Sequence, residues 1–366
     1  MTTFNIITDG GAPTDGKSDA LPAFQAALLS GADQIDVPAD YDYMVGGKIQ
    51  FDNAQSRILN IIPASDGHKS TIYLDPAKGH IPSDLLKGYN CGNLLLITND
   101  SLVLDARNDT VKPGGQYGNC LEWDSDNEIT IQGGLVLRRS RDAALEVKRG
   151  SIDLGNIEIY DTGHPSHSVN AATFSNCKVN AGKIKVVNGN GFGVHCSGVK
   201  GAVFQEVYSE NTRLEGYAEA STCDRNTIYS LTTIGVREDM GASFSGNNAL
   251  VHNFTAIRPF RDGIGCSGDY NVFVRPVVIE GGYQNNEPMG GITGAGGVRF
   301  YGWTDANGLH APHGNRLIDG VVRDSSGHAV TFGSSATNNY VSLSYEAGNG
   351  GLLFDNSAGN TNRLVS

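Results

Sequence analysis

A five-residue phrase recurs seven times between Leu121 and Gly268, and its spacing restricts what this chain can fold into more than any other feature. It reads Leu121-Glu-Trp123-Asp-Ser, Leu145-Glu-Val147-Lys-Arg, Ala172-Thr-Phe174-Ser-Asn, Val194-His-Cys196-Ser-Gly, Ala218-Glu-Ala220-Ser-Thr, Ala242-Ser-Phe244-Ser-Gly and Ile264-Gly-Cys266-Ser-Gly. The intervals between first residues are 24, 27, 22, 24, 24 and 22. Apolar side chains hold the first and third places, while the second and fourth are polar or glycine, the alternation of a strand with one buried face. One such strand per repeat, with no helical period between, predicts a solenoid of stacked β coils.

Composition supports this reading. The 366 residues include 48 glycines, and with abundant Asn, Asp and Ser they supply the turns an all-β coil needs several times per repeat. The formal charge is −12 with no basic cluster, which argues against nucleic acid as a partner, since phosphate binding draws on Lys/Arg patches. No apolar run reaches the roughly 18 residues of a membrane span. Residues 1–7 lack the charged and apolar regions of a Sec signal. The regular repeat predicts one elongated domain over 1–366: a cap region over 1–50, irregular first coils over 51–120, regular coils over 121–268, and C-terminal coils with long insertions over 269–366. Cys177, Cys196, Cys223 and Cys266 read as small buried hydrophobes rather than disulfide partners.

In chain order, Phe4 to Ile7 reads as a short strand, followed by a turn-rich loop and an amphipathic helix from Ala20 to Leu29 with Ser18 or Asp19 as its cap. A strand from Gln34 follows, interrupted at Pro38 and then resumed. Ile58–Ile62, Thr71–Leu74 and Leu94–Ile97 read as strands, and the segment from Asp75 to Cys91 as an excursion. The phrase returns at Val298-Arg-Phe300, Val330-Thr-Phe332 and about Leu352–Phe354, between insertions at about 276–296 and 303–314. Long loops on a rigid solenoid belong to its binding face.

The opening Gly10-Gly-Ala-Pro-Thr-Asp-Gly16, with Asp19, the helix and then Val37-Pro-Ala-Asp-Tyr-Asp-Tyr43, resembles the start of the pectate-lyase-3 type right-handed parallel β-helix proteins, with Asp40 where their pattern usually has glycine. The resemblance covers about the first 45 residues. It implies an all-β, single-stranded right-handed parallel β-helix with an N-terminal capping helix. It also implies a polysaccharide partner, an extracellular or virion-associated setting, and a monomer or a homotrimer. The family spans polysaccharide lyases, mannuronan epimerases, glycosidases and tailspike-like depolymerases, so it does not select a reaction.

Aligning the phrase turns sequence into a map of faces, because equivalent positions stack coil on coil. Five consecutive serines, Ser175, Ser197, Ser221, Ser245 and Ser267, form an outward ladder; its uniformity speaks for a structural role. On this alignment His195, Tyr217 and Glu219 point outward on adjacent rungs, an imidazole, a phenol and a carboxylate suited to acid–base chemistry. In the preceding turn lie Asp142, Glu215, Asp239 and Asp262 with Arg141, Arg213, Arg237 and Arg261. Glu215 and Asp239 align as neighbours, readable as part of an Arg–carboxylate ladder, as the paired carboxylates of a hydrolase, or, with Asp262, as a calcium site. Lys148, Arg213, Arg237 and Arg299 are candidate clamps for a sugar carboxylate, and Tyr301 and Trp303 candidate stacking platforms. His164, His167, His310 and His313 read as loop polarity.

These residues favour a polysaccharide lyase that cleaves a uronic-acid polymer by β-elimination, with His195 and Tyr217 as base and acid and no required cofactor. The alternatives are a glycoside hydrolase built on Glu215, Glu219, Asp239 or Asp262, a C5-epimerase, and a non-catalytic polysaccharide-binding β-helix.

Overall fold

A computed structural model describes residues 1–75, 84–107, 118–163, 169–282, 296–305, 308–357 and 362–365. The chain divides into two compact units, Met1–Lys185 and Val186–Ser366. Each is built from strands paired in parallel with strands one coil away, so the expected all-β parallel β-helix is the observed architecture. The one helix among the described residues, Leu21–Leu29, buries Phe24 against Tyr43, ring centroids 6.1 Å apart. Asp19 Oδ1 accepts hydrogen bonds from the amides of Leu21 and Gly46, although the residue at the cap position is Ala20. None of the described helices is long and apolar enough to cross a membrane.

In the first unit the phrase stacks as the alignment predicts: Leu121 pairs with Leu145 and then Ala172, and Trp123 with Val147 and then Phe174. The rungs begin earlier than expected. Ile49–Phe51 pairs with Leu86–Tyr89, which pairs with the strand from Leu121, so part of the predicted excursion is itself a coil. Residues 76–83, including His80, lie outside the described residues.

In the second unit one inward column runs Val194, Tyr217, Ala242, Ile264, Val298 and Val330. A second runs Cys196, Glu219, Phe244, Cys266, Phe300 and Phe332. Phe244, Phe300 and Phe332 are at most 1% exposed; each such ring contributes about 1.5–3 kcal/mol over leaving it in water. Cys196 and Cys266 are core residues in these columns, and all six cysteines are buried. The insertion after Phe300 forms a small antiparallel hairpin, Trp303–Asp305 with Gly308–His310, outside the parallel sheet. Most of the preceding insertion, 283–295, lies outside the described residues, as do His164 and His167.

A buried asparagine ladder closes one corner of these coils and was not foreseen. The side-chain oxygens of Asn315, Asn339 and Asn362 accept the backbone amides of Asn271, Asn315 and Asn339 at 2.8, 3.1 and 3.0 Å. Asn315 Nδ2 also donates to Gly268 O at 2.9 Å. Removing one side chain leaves buried donors and acceptors without partners, each worth about 1–3 kcal/mol. Asn315→Ala is therefore expected to lower the unfolding free energy by roughly 2–4 kcal/mol in urea titration. A loss within about 0.5 kcal/mol, the range of ordinary surface changes, would show that the ladder adds nothing.

Candidate active site

The strand pairing corrects the first candidate site. Val194 pairs with Tyr217 rather than Ala218, and His195 therefore pairs with Ala218. A one-residue slip exchanges the two faces of a strand, so Tyr217 and Glu219 point into the core, 0% and 3% exposed. There Tyr217 Oη donates to Glu219 Oε1 at 2.7 Å and Asn226 Nδ2 donates to the same oxygen at 3.0 Å. Burial raises the Glu219 pKa, and these contacts only partly offset it. His195 remains in the middle, outward position, half-buried, its ring tilted against Phe192 with centroids 5.2 Å apart. Burial lowers its pKa, which favours the neutral imidazole. The three groups do not share a face.

The second candidate set converges. Glu215, Asp239, Met240, Arg261, Arg299 and Tyr301 line a cavity of about 510 Å³ in the second unit. Arg299 and Ser243 belong to the outward column of His195, while Glu215 and Asp239 come from the turns that lead into the strands. The slip moves these as well: Glu215 lies two residues before Tyr217, whereas Asp239 lies three before its partner Ala242. The two residues are thus offset by one position in register rather than stacked in one row. Gly265 leaves room for two of the lining side chains; a β-carbon there would run into the Met240 sulfur and sit 3.1 Å from the Tyr301 ring.

The carboxylates have unequal surroundings. Glu215 is 8% exposed, and its Oε2 has no hydrogen-bond partner. Burial first, and then the charge of Asp239, raise its pKa to about 7. Asp239 accepts from Arg261 Nη1 at 3.1 Å and from the Met240 amide at 3.0 Å. Burial raises its pKa too, but the Arg261 guanidinium opposes the rise. Asp262, 1% exposed, faces Arg299 Nε at 3.0 Å and accepts the Gly296 amide at 2.9 Å. Tyr301 is held in its neutral form by burial and by Glu215 and Asp239 beside it. An acid that keeps its proton near neutrality, opposite a carboxylate backed by arginine, is a pair suited to proton donation and to nucleophilic or base assistance.

The remaining candidates lie elsewhere. Arg213 is paired with Glu238 at 2.8 Å, and Arg237 donates to Gly189 O at 3.0 Å. Trp303 is stacked on His310 with centroids 4.3 Å apart, and its indole N–H donates to Ser267 Oγ at 3.0 Å. Ser267 in turn donates to Ser245 at 2.9 Å, so part of the serine ladder is structural. Lys148 belongs to the first unit, bound to Glu122 at 2.7 Å and Glu146 at 3.4 Å. Among the described residues no three His, Cys, Asp or Glu side chains form a group that could hold a metal ion. Arg261 and Arg299 supply beside Asp239 and Asp262 the positive charge that calcium would bring. Met240, Ser334 and Asn356 line the cavity without having been singled out in the sequence, since nothing in the phrase marks them.

No family model and no curated protein matches this chain. Solved structures do. The Yersinia enterocolitica family 28 exopolygalacturonase aligns with 98% of this chain and 78% of its own at a TM-score of 0.52 and 11% identity. The catalytic domain of Agl-KA aligns with 99% and 68% at 0.56 and 12%. The enzymatically active domain of tailspike protein 2 of bacteriophage CBA120 aligns with 100% of this chain and 46% of its own at 0.51 and 12%. At these identities the likeness is one of fold, the right-handed parallel β-helix.

Proposed function

We propose that this protein is a glycoside hydrolase that cleaves a polysaccharide with Glu215 as general acid and Asp239 as its ionised partner. The observation that carries this reading is the unequal pair at one cavity: a buried carboxyl with its pKa raised to about 7 opposite a carboxylate held by Arg261. Protonated Glu215 would donate to the departing glycosidic oxygen. Asp239, as nucleophile or as base to a water, would meet the positive charge that develops on the sugar ring. Arg299 and Tyr301 offer hydrogen bonds and a ring face to the bound sugar. The fold is shared with an exopolygalacturonase and a tailspike domain, which fits this reading.

β-elimination needs a base and an acid facing the same sugar, and with Tyr217 and Glu219 turned into the core His195 is left without that company. Hydrolysis is therefore the reading the side chains support. The test is incubation with a panel of plant, algal and bacterial polysaccharides, following reducing ends and the ultraviolet absorbance of an unsaturated uronate. New reducing ends without absorbance are expected, lost on Glu215→Gln or Asp239→Asn and retained on Tyr217→Phe if that variant folds. Absorbance that survives both carboxylate substitutions would overturn the assignment in favour of a lyase.

A further inference from the structure

A second cavity of the same unit, about 870 Å³, lies on a different strand row, and the carboxylate pair takes no part in it. Its floor is the outward column Val272, Arg316, Tyr340 and Arg363, one residue per coil. Tyr270 and Gly314 form one edge. Tyr270 and Tyr340 are 54% and 37% exposed, and both arginines are exposed.

Two features mark this surface as more than ordinary polarity. In the same unit Arg213, Arg225, Arg258, Arg261 and Arg299 each meet a carboxylate. Arg316 and Arg363, like Arg237, Arg275 and Arg323, have no acidic partner among the described residues, but these two stand in one exposed column two coils apart, in a chain whose net charge is −12. The second feature is Tyr270 itself. Equivalent turn positions in successive coils are Gly201, Arg225, Asn248, Tyr270, Gly314 and Asn338, all at positive φ, 70, 56, 57, 56, 67 and 54°. Four of the six are glycine or asparagine, the residues that tolerate this backbone, and a bulky aromatic there is an outlier. Gly314 makes room for the ring: a β-carbon on it would stand 2.7 Å from Tyr270. His313 packs edge-on against the ring with centroids 5.4 Å apart.

We propose that this face is a second, non-catalytic binding site for an acidic oligosaccharide. The rings of Tyr270 and Tyr340 offer flat faces to sugar rings. Arg316 and Arg363, two coils apart or about 9–10 Å, offer forks to carboxylates spaced along the chain. Nucleic acid fits less well, because it carries a charge on every phosphate and would meet only two cations on a protein that repels it overall. A tethering site of this kind holds a polymer whether or not the carboxylate cavity cleaves it, so the assignment stands apart from the proposed hydrolysis.

The experiment is affinity electrophoresis of the full chain through native gels containing polygalacturonate, alginate or neutral dextran. It is run in the Glu215→Gln background so that no polymer is cut. Retardation is expected in at least one acidic gel and not in dextran, weakened on the order of tenfold by Tyr270→Ala or Arg363→Gln, a change of one stacking or charge-assisted contact. Arg225→Gln and Arg258→Gln, whose arginines already have carboxylate partners, serve as controls that leave it unchanged. Tyr270→Gly keeps the turn relaxed and removes only the ring, so loss of binding there is not a folding defect. Unaltered mobility in both acidic gels overturns the proposal, as does retardation of Tyr270→Gly and Arg363→Gln as strong as that of the Glu215→Gln parent. Sedimentation that shows an oligomer dissociated by Tyr270→Gly would overturn it in favour of an interface between copies of this chain.

Discussion

Glu215→Gln is expected to abolish turnover while making the protein more stable at alkaline pH. The folded state holds the Glu215 proton to about pH 7, against 4.5 for an unperturbed glutamate. Its pKa is raised on folding, so its favourable contribution is complete below 4.5 and is lost as pH rises through about 7. By pH 8 the ionised side chain, 8% exposed, costs on the order of 3 kcal/mol. Glutamine has no proton to lose. The stability advantage of the variant in urea titration should be near zero at pH 4.5 and grow toward that value by pH 8. Activity should fall about 10²–10⁴-fold, the usual contribution of a general acid. In the unsubstituted protein kcat/KM should decline above about pH 7 as Glu215 ionises. On the acid side it should decline as Asp239 takes up a proton, at a pH above the ordinary aspartate range because burial raises that group too. Parallel stability curves for the two proteins would mean that Glu215 is not the group that keeps its proton.

Much of this architecture is legible in the phrase itself. Strand alternation and a nearly constant interval define the coil, and in the first unit the first three places of the phrase follow the alignment from Leu121 through Leu145 to Ala172, before an irregularity pairs Asp124 with Arg149 instead of Lys148. The reading fails at one coil for a physical reason. Ala218-Glu-Ala220 imitates the phrase, because alanine is small enough to suit either face, while Tyr217 and Glu219 look like surface residues. In the fold each satisfies the other: the Tyr217 hydroxyl and Asn226 both donate to the Glu219 carboxyl, so a polar pair can take inward positions. Internal hydrogen bonding has overridden binary patterning. The asparagine ladder escaped for a different reason, since Asn271, Asn315, Asn339 and Asn362 sit in turns just before strands, outside the phrase. For Glu215, Asp239 and Asp262 the residue types and their nearness were visible, but the partners were not. Arg261 and Arg299, which meet Asp239 and Asp262, come from the following coils.

Arg299→Met is expected to be among the most destabilising single substitutions in the second unit, and Asp262→Asn in the same chain is expected to reverse most of the loss. The two side chains are 8% and 1% exposed and 3.0 Å apart. Removing one partner of a buried pair strands the other charge, which costs about 3–5 kcal/mol, whereas removing both charges is close to neutral. Without Arg299, Asp262 keeps the Gly296 amide and the charge of Arg261, and its already raised pKa should rise further. The deficit of Arg299→Met should therefore shrink as pH falls and Asp262 becomes neutral, and be largest at neutral pH and above. The double variant should show no such pH dependence, and the difference between it and the sum of the single effects measures the coupling. Activity should not return with stability, because Arg299 also lines the cavity beside Glu215 and Asp239, and its loss removes a contact to the sugar and a positive charge from the site. Recovery of both would make the arginine a purely structural counter-ion. If the double variant instead unfolds as easily as Arg299→Met, the stem of Arg299 matters through packing, and compensation of the Asp262 charge is not what this pair contributes.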